Sequence, residues 1–143
     1  MTMRANSRRT RHAFTLIELM IVLIILVSLA ALVTPAFLKK AEKAKYQGAQ
    51  VQVKLLANAV NDFFLDVGEY PKGLNDLVQS PGGDRWDGPY LDPPQVPKDP
   101  WGEEYHYVCP GQHGKFDLSS YGADKAPGGE KYDADINSWE VKP

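Results

Sequence analysis

The chain has a single cysteine, Cys109, so it can close no disulfide within itself. A small domain outside the cytoplasm usually needs a staple: disulfides, a metal, or assembly with copies of itself. The first is excluded, which leaves the other two. Histidine is scarce as well. His12 lies in the first dozen residues, and His106 and His113 stand seven apart with no second cysteine, a poor transition-metal set. Ser119-Ser120 sit in no G-x-S-x-G elbow and no glycine-rich phosphate loop opens a helix, so catalysis finds no support. Basic charge is missing from the body of the chain. Residues 1–13 hold Arg4, Arg8, Arg9 and Arg11 and no acid, and the remainder sets twelve basic residues against all eighteen acidic ones. Such a surface gives no help in holding polyanions, which argues against a nucleic-acid partner.

What the chain does have is a long apolar run behind that basic start. Leu19 to Val33 is apolar except for Ser28, and 14–38 is interrupted only by Thr15, Glu18, Ser28, Thr34 and Pro35. About 20 apolar residues span a bilayer as a helix, and this run is long enough. The four arginines should stay cytoplasmic, placing everything after the run outside. An ordinary secretory signal cut after Ala30 is the competing reading, since Ser28-Leu29-Ala30 is a small-x-small site. Two features oppose it: Glu18 puts a charge where an h-region has none, and a helical pattern continues beyond the supposed cut.

That pattern occupies 39–67. Ala49, Val53, Leu56, Val60, Phe63 and Val67 recur three or four residues apart and form one face. Lys39, Lys40, Lys43, Lys45 and Lys54 fall largely off it. Gly68 is a natural helix stop. Residues 14–67 therefore read as one helix, about 80 Å long, with Pro35 and Gly48 as its expected bend points. Its first half is apolar all round and its second half amphipathic. The stripe is core; the all-apolar half has no partner in its own chain, so it needs lipid or other subunits.

After Gly68 the composition turns to glycine, proline and aromatics. Leu74, Leu77 and Val78 suggest a short helix ended by Ser80-Pro81. Residues 104–108 and 115–119 read as two strands joined by the loop 109–114, and Trp139 to Val141 as a third. Trp86, Trp101 and Trp139 are expected in the core of this small domain.

Two features could carry chemistry. Glu18 is a carboxylate inside an apolar run, which is costly and normally paired and functional; the plainer reading is a side chain that snorkels to the interface. The acidic loop 122–136 holds Asp124, Asp133 and Asp135 around Gly128-Gly129. Calcium takes six to eight oxygens from carboxylates and carbonyls, so the ingredients are present, though the spacing is not that of an EF-hand. A solvated acidic loop is the alternative.

Ala13-Phe14-Thr15-Leu16-Ile17-Glu18-Leu19 resembles the processing site of type IV pilins and type II secretion pseudopilins. Tyr70-Pro71, Gly88-Pro89-Tyr90-Leu91, Asp99-Pro100-Trp101-Gly102, Pro110-Gly111-Gln112-His113-Gly114 and the run 116–124 resemble the major pseudopilins of type II secretion. The resemblance covers essentially the whole chain. It implies an α+β fold: a long N-terminal helix, with an apolar anchor half and an amphipathic half, carrying a small C-terminal antiparallel sheet and a calcium-type loop. The implied organisation is a leader at 1–13, removed by prepilin peptidase between Ala13 and Phe14, with methylation of the Phe14 amine. Next come an apolar transmembrane or filament-core helix at 14–38, the amphipathic helix at 39–67 and a periplasmic domain at 68–143. Ala13 stands where the family usually has glycine.

The resemblance further implies that Glu18 meets the Phe14 amine of a neighbouring subunit and sets axial register. It implies calcium held by Asp124 and Asp135, then Asp133, with the backbone carbonyls of Leu118, Ser119 and Ser120 completing the shell. Lys125 departs from the glycine common after the first aspartate. The implied function is the major structural subunit of a periplasmic pseudopilus, not an enzyme, polymerising from the inner membrane to drive folded exoproteins through the outer membrane. Implied partners are further copies of the chain, minor pseudopilins, an inner-membrane platform protein and a cytoplasmic assembly ATPase. A surface type IV pilus subunit is the alternative, and a membrane-tethered periplasmic binding protein or enzyme a second.

Overall fold

The computed structural model describes residues 14–140, and all of their side chains except those of residues 32–36. One helix, α1 (Leu16–Val67), dominates it. Thr15 caps the helix start: its hydroxyl accepts the Glu18 amide at 3.3 Å and its carbonyl accepts the same amide at 3.1 Å. Gly68 ends the helix. Its φ of 88° lies in the left-handed region that a side chain disfavours, and its amide closes the last turn on the Phe64 carbonyl at 2.8 Å. The helical assignment runs unbroken through both Pro35 and Gly48.

The chain divides into two compact units, one ending at Leu38 and the other beginning at Lys39. In the first unit the large apolar side chains from Leu16 to Leu29 are 47–78% exposed, so none is buried by its own chain. Ser28 returns its hydroxyl to the Ile24 carbonyl at 2.8 Å, which spares the apolar surface an unpaired donor. Among the described residues no helix is long and apolar enough to cross a membrane. The expected span also includes residues 32–36, whose side chains lie outside those described.

The second unit has a closed core. The helical stripe Ala49, Val53, Leu56, Val60 and Phe63 is 0–2% exposed, and Val67 at its end is half-buried. Leu74, Leu77, Tyr105, Leu118 and Ile136 complete the core from the other side. Burying side chains of this size is worth about 1.5–3 kcal/mol each. The sheet has three antiparallel strands in the order β1 (His106–Val108), β2 (Asp117–Ser120), β3 (Ile136–Asn137). Tyr107 pairs with Leu118, and Ser120 with Ile136.

Three expectations shift. The short helix is a single 3-10 turn, Leu74–Leu77; Gly73 offers it no side-chain cap, and the Val78 amide closes it on the Asn75 carbonyl. The hairpin loop reaches further than 109–114 because the Gly111 amide donates to the Lys115 carbonyl, so β2 starts only at Asp117. The third strand is Ile136–Asn137 and not Trp139 to Val141. Ile136 is the apolar side chain that fills the core, at 2% exposure. Trp139 lies outside the core, stacked on the His113 ring at 4.0 Å between centroids, and Val141 lies outside the described residues. Trp86 and Trp101, by contrast, pack against the core as expected.

Candidate functional site

Two places carry the residues singled out above. The first is the start of α1. Glu18 stands in the first helical turn, where a carboxylate complements the helix dipole, and it is exposed, as is Phe14. Ala13 lies outside the described residues. Sequence reading overlooked Thr15, although Thr15-x-x-Glu18 is the spacing of a capping box and could have flagged it. The helix therefore starts at a fixed place, with the acid in its first turn.

The second is the loop 122–136, which two glycines shape. Gly122 (φ 72°) is buried against the Asp133 and Ala134 carbonyls, and Gly129 (φ 80°) lies so close to the Asp133 carbonyl that a Cβ would collide with it. The loop is cross-tied by its own backbone: Ala123 N–H to the Tyr132 carbonyl at 3.2 Å, Asp135 N–H to the Gly128 carbonyl at 3.1 Å. Asp135 takes the Gly128 amide on Oδ2 at 3.1 Å, while its Oδ1 is buried with no hydrogen-bond partner among the described residues. A buried carboxylate oxygen left unpaired is costly, and a cation is the natural remedy. The donor chemistry thus fits a hard ion such as calcium at Asp135.

The other expected ligands are differently placed. Asp124 turns its Oδ1 back onto the Ala126 amide at 3.1 Å and is exposed, as is Asp133. Among the described residues no three His, Cys, Asp or Glu side chains form a metal-holding group. The Leu118 carbonyl already accepts the Ser138 amide at 2.9 Å. Ser119 and Ser120 sit in the ladder opposite Asn137 and Ile136. Lys125, with φ 60°, reaches out to Glu103 at 2.7 Å, and that partner raises its pKa.

A buried tie beside the loop escaped the sequence reading. Asp99 is 5% exposed and accepts the Ser120 hydroxyl at 2.7 Å and the Trp101 and Glu103 amides at 3.1 and 2.8 Å. Burial, with Asp99 nearby, drives the Tyr105 hydroxyl's pKa strongly up. The 99–102 turn is thereby locked to β2 directly ahead of the acidic loop. Asp-Pro at a turn start was the available signal.

Residues 36–139 match the family model described as type II secretion system protein G. The chain belongs to that family. Residues 8–34 match the prokaryotic N-terminal methylation motif. The type II secretion system core protein G of Pseudomonas aeruginosa is 44% identical, with 93% of this chain and 98% of that one covered. That of Vibrio cholerae is 39% identical over 94% and 95%. The crystal structure of the major pseudopilin from the type 2 secretion system of enterohaemorrhagic Escherichia coli superposes with a TM-score of 0.59 at 30% identity, covering 73% of this chain and 91% of that one. This protein G family member is a pseudopilus subunit of type II secretion, with the long helix and small antiparallel sheet of a pseudopilin fold.

Proposed function

We propose that the protein is the major subunit of a periplasmic pseudopilus and works by polymerising, without catalysis of its own. The observation that carries this is the exposure of every large apolar side chain from Leu16 to Leu29, where the second unit has a closed core of its own. A helix that is apolar all round belongs in lipid or in a protein bundle. Before assembly it anchors the chain in the inner membrane with its domain in the periplasm; afterwards it packs among identical helices. Both surroundings are apolar, so the exchange costs little per residue. Transfer out of lipid is driven by a cytoplasmic ATPase through an inner-membrane platform protein, with minor pseudopilins joining the filament. The filament then pushes folded exoproteins towards the outer membrane.

Prepilin peptidase removes residues 1–13 between Ala13 and Phe14, and the new Phe14 amine is methylated. Glu18 of one subunit pairs with that amine on the next. In lipid an unpaired carboxylate costs a few kcal/mol, so each added subunit is drawn to the one register that pairs it. Calcium would be held by Asp124 and Asp135, with Asp133 and the carbonyls of Leu118, Ser119 and Ser120. When bound it supplies the staple that a lone cysteine cannot. The buried, unpaired Oδ1 of Asp135 supports this reading.

The test is the set of proteins released by the native host with and without this gene. Loss of several folded exoproteins from the medium, with their accumulation in the periplasm, is the expected result. Unchanged secretion together with loss of surface fibres would assign the chain to a type IV pilus instead. A binding or enzymatic activity recovered from the soluble fragment would support the tethered-protein reading.

A further inference from the structure

A groove of about 380 Å³ lies between α1 and the 90–97 segment within the second unit. Leu55, Leu56, Ala59 and Asp62 form its helical wall, and Leu91, Asp92 and Pro97 the facing one. The second wall is held in place by Tyr90. Its amide bonds the Leu77 carbonyl at 2.8 Å, its hydroxyl bonds Asp66 at 2.9 Å, and its ring meets Phe63 edge-on at 5.6 Å. The groove is thus a built feature with an apolar floor and lip; Leu55 at its edge is 57% exposed. Both charged residues lining it, Asp62 and Asp92, are acidic and exposed, and neither has an ion-pair partner among the described residues.

The same unit carries the complementary surface. Lys39, Lys40 and Lys43 are exposed on α1, and none has an ion-pair partner among the described residues, whereas Lys45 is paired with Glu42 at 3.2 Å. These lysines follow the apolar run on its outer side, where basic residues work against the positive-inside bias that Arg4, Arg8, Arg9 and Arg11 set up. Topology therefore gives no reason for them, and pairing does. A lysine stem can lie along an apolar wall while its ammonium reaches a carboxylate at the rim, which is the chemistry this groove offers.

We propose that the groove between α1 and the 90–97 segment receives the Lys39–Lys43 stretch of a second copy of this chain, with the lysine stems on Leu55, Leu91 and Pro97 and the ammonium groups on Asp62 and Asp92. This rests on the filament reading and names a lateral contact within it. It is separate from the Phe14–Glu18 pair, which sets register at the other end of the helix.

The test uses the full chain in its native host, with Cys109→Ser as background. Asp92→Cys is combined in turn with Lys39→Cys, Lys40→Cys and Lys43→Cys, and cells are treated with a mild oxidant. At least one pairing should give a ladder of disulfide-linked multimers, while Asp92→Cys with Lys72→Cys, an exposed lysine elsewhere, should not. In parallel, Asp62→Lys with Asp92→Lys should lower filament yield roughly tenfold, and adding Lys40→Asp and Lys43→Asp should restore most of it, as paired charges in a mutant cycle do. These sites are exposed, so folding should be retained, which circular dichroism checks.

No ladder from any of the three pairings, with the background chain still forming filaments, would overturn the groove contact and leave the pseudopilus reading intact. Loss of assembly from the lysine reversals alone, with the aspartate reversals silent, would overturn it in favour of lysines that serve lipid headgroups. Absence of filaments from the unaltered chain, with secretion unaffected by its deletion, would remove the pseudopilus reading and this contact with it.

Discussion

Two stretches of the same helix treat their apolar side chains in opposite ways. Between Leu16 and Leu29 every large apolar side chain is at least 47% exposed, whereas between Ala49 and Phe63 the stripe side chains are 2% exposed or less. Both stretches belong to one continuous helix, so secondary structure does not separate them. The difference lies in periodicity. The second stretch concentrates its apolar residues on one face and leaves Lys54, Asn58 and Asp62 elsewhere, so a small sheet suffices to cover it. The first is apolar on every face, and its large side chains all stay exposed. One stretch of the helix is covered by the domain that it belongs to, and the other is left exposed.

The contrast between the two stretches is most vulnerable at Glu18, the only charge in the apolar half. Glu18→Leu should leave membrane insertion and leader removal intact, since both are read from the apolar run and the processing site. Filament formation and exoprotein release should fall to the level of a strain without the gene. Filaments of normal abundance and regularity from Glu18→Leu would end the register role. In that case Glu18 would be only a first-turn acid, worth about 0.3–1 kcal/mol to the helix.

Within the amphipathic half, two neighbouring leucines differ just as widely. Leu56 is 1% exposed and Leu55 is 57% exposed. In a soluble fragment starting at Lys39, Leu56→Ala should cost about 2–5 kcal/mol by denaturant unfolding. Leu55→Ala should stay within about 0.5 kcal/mol. If the two cost the same, the stripe is not the core of that unit.

Sequence periodicity found α1 to within two residues of its start, and at Val67 for its end, because a 52-residue helix carries its own repeated signal. The strands were harder. They hold two to four residues each, and their limits are set by contacts across the fold: the Lys115 carbonyl drawn into the loop, and Ile136 chosen over Trp139 to fill the core. The acidic loop was legible as composition but not as geometry. Nothing in the spacing of Asp124, Asp133 and Asp135 says that only Asp135 keeps a buried oxygen unpaired, or that Lys125 turns away to Glu103. Asp99 was legible as a turn residue but not as the buried anchor of Ser120, since that contact joins positions 21 residues apart.

The acidic loop gives the next largest effect. Calcium at a hundredfold excess over its Kd should stabilise the Lys39 fragment by about 2.7 kcal/mol, which a thermal melt would read as a rise of several degrees over chelator. Asp124→Ala should abolish the difference. A melting temperature indifferent to calcium would remove the metal and leave self-assembly as the chain's remaining staple.

The smallest effect is expected where the second unit begins. The indole N–H of Trp101 donates to Glu42 Oε2 at 3.2 Å, and Lys45 pairs with Oε1 of the same carboxylate at 3.2 Å. The bond from Trp101, then that from Lys45, hold the Glu42 pKa below its ordinary value against a small opposing effect of burial. The sign follows from linkage. A carboxylate whose folded pKa is lowered adds stability above its unfolded pKa and loses it as pH falls through the folded one. The contribution should therefore be complete at neutral pH and fade only below the usual glutamate range. The site is open to solvent, so the global melt should scarcely move. The Trp101 indole N–H resonance should shift with a midpoint below that of a free glutamate, and Glu42→Leu should flatten the titration. A midpoint at the free value would show that the Trp101 contact contributes nothing, leaving Glu42 paired only with Lys45 on its own helix.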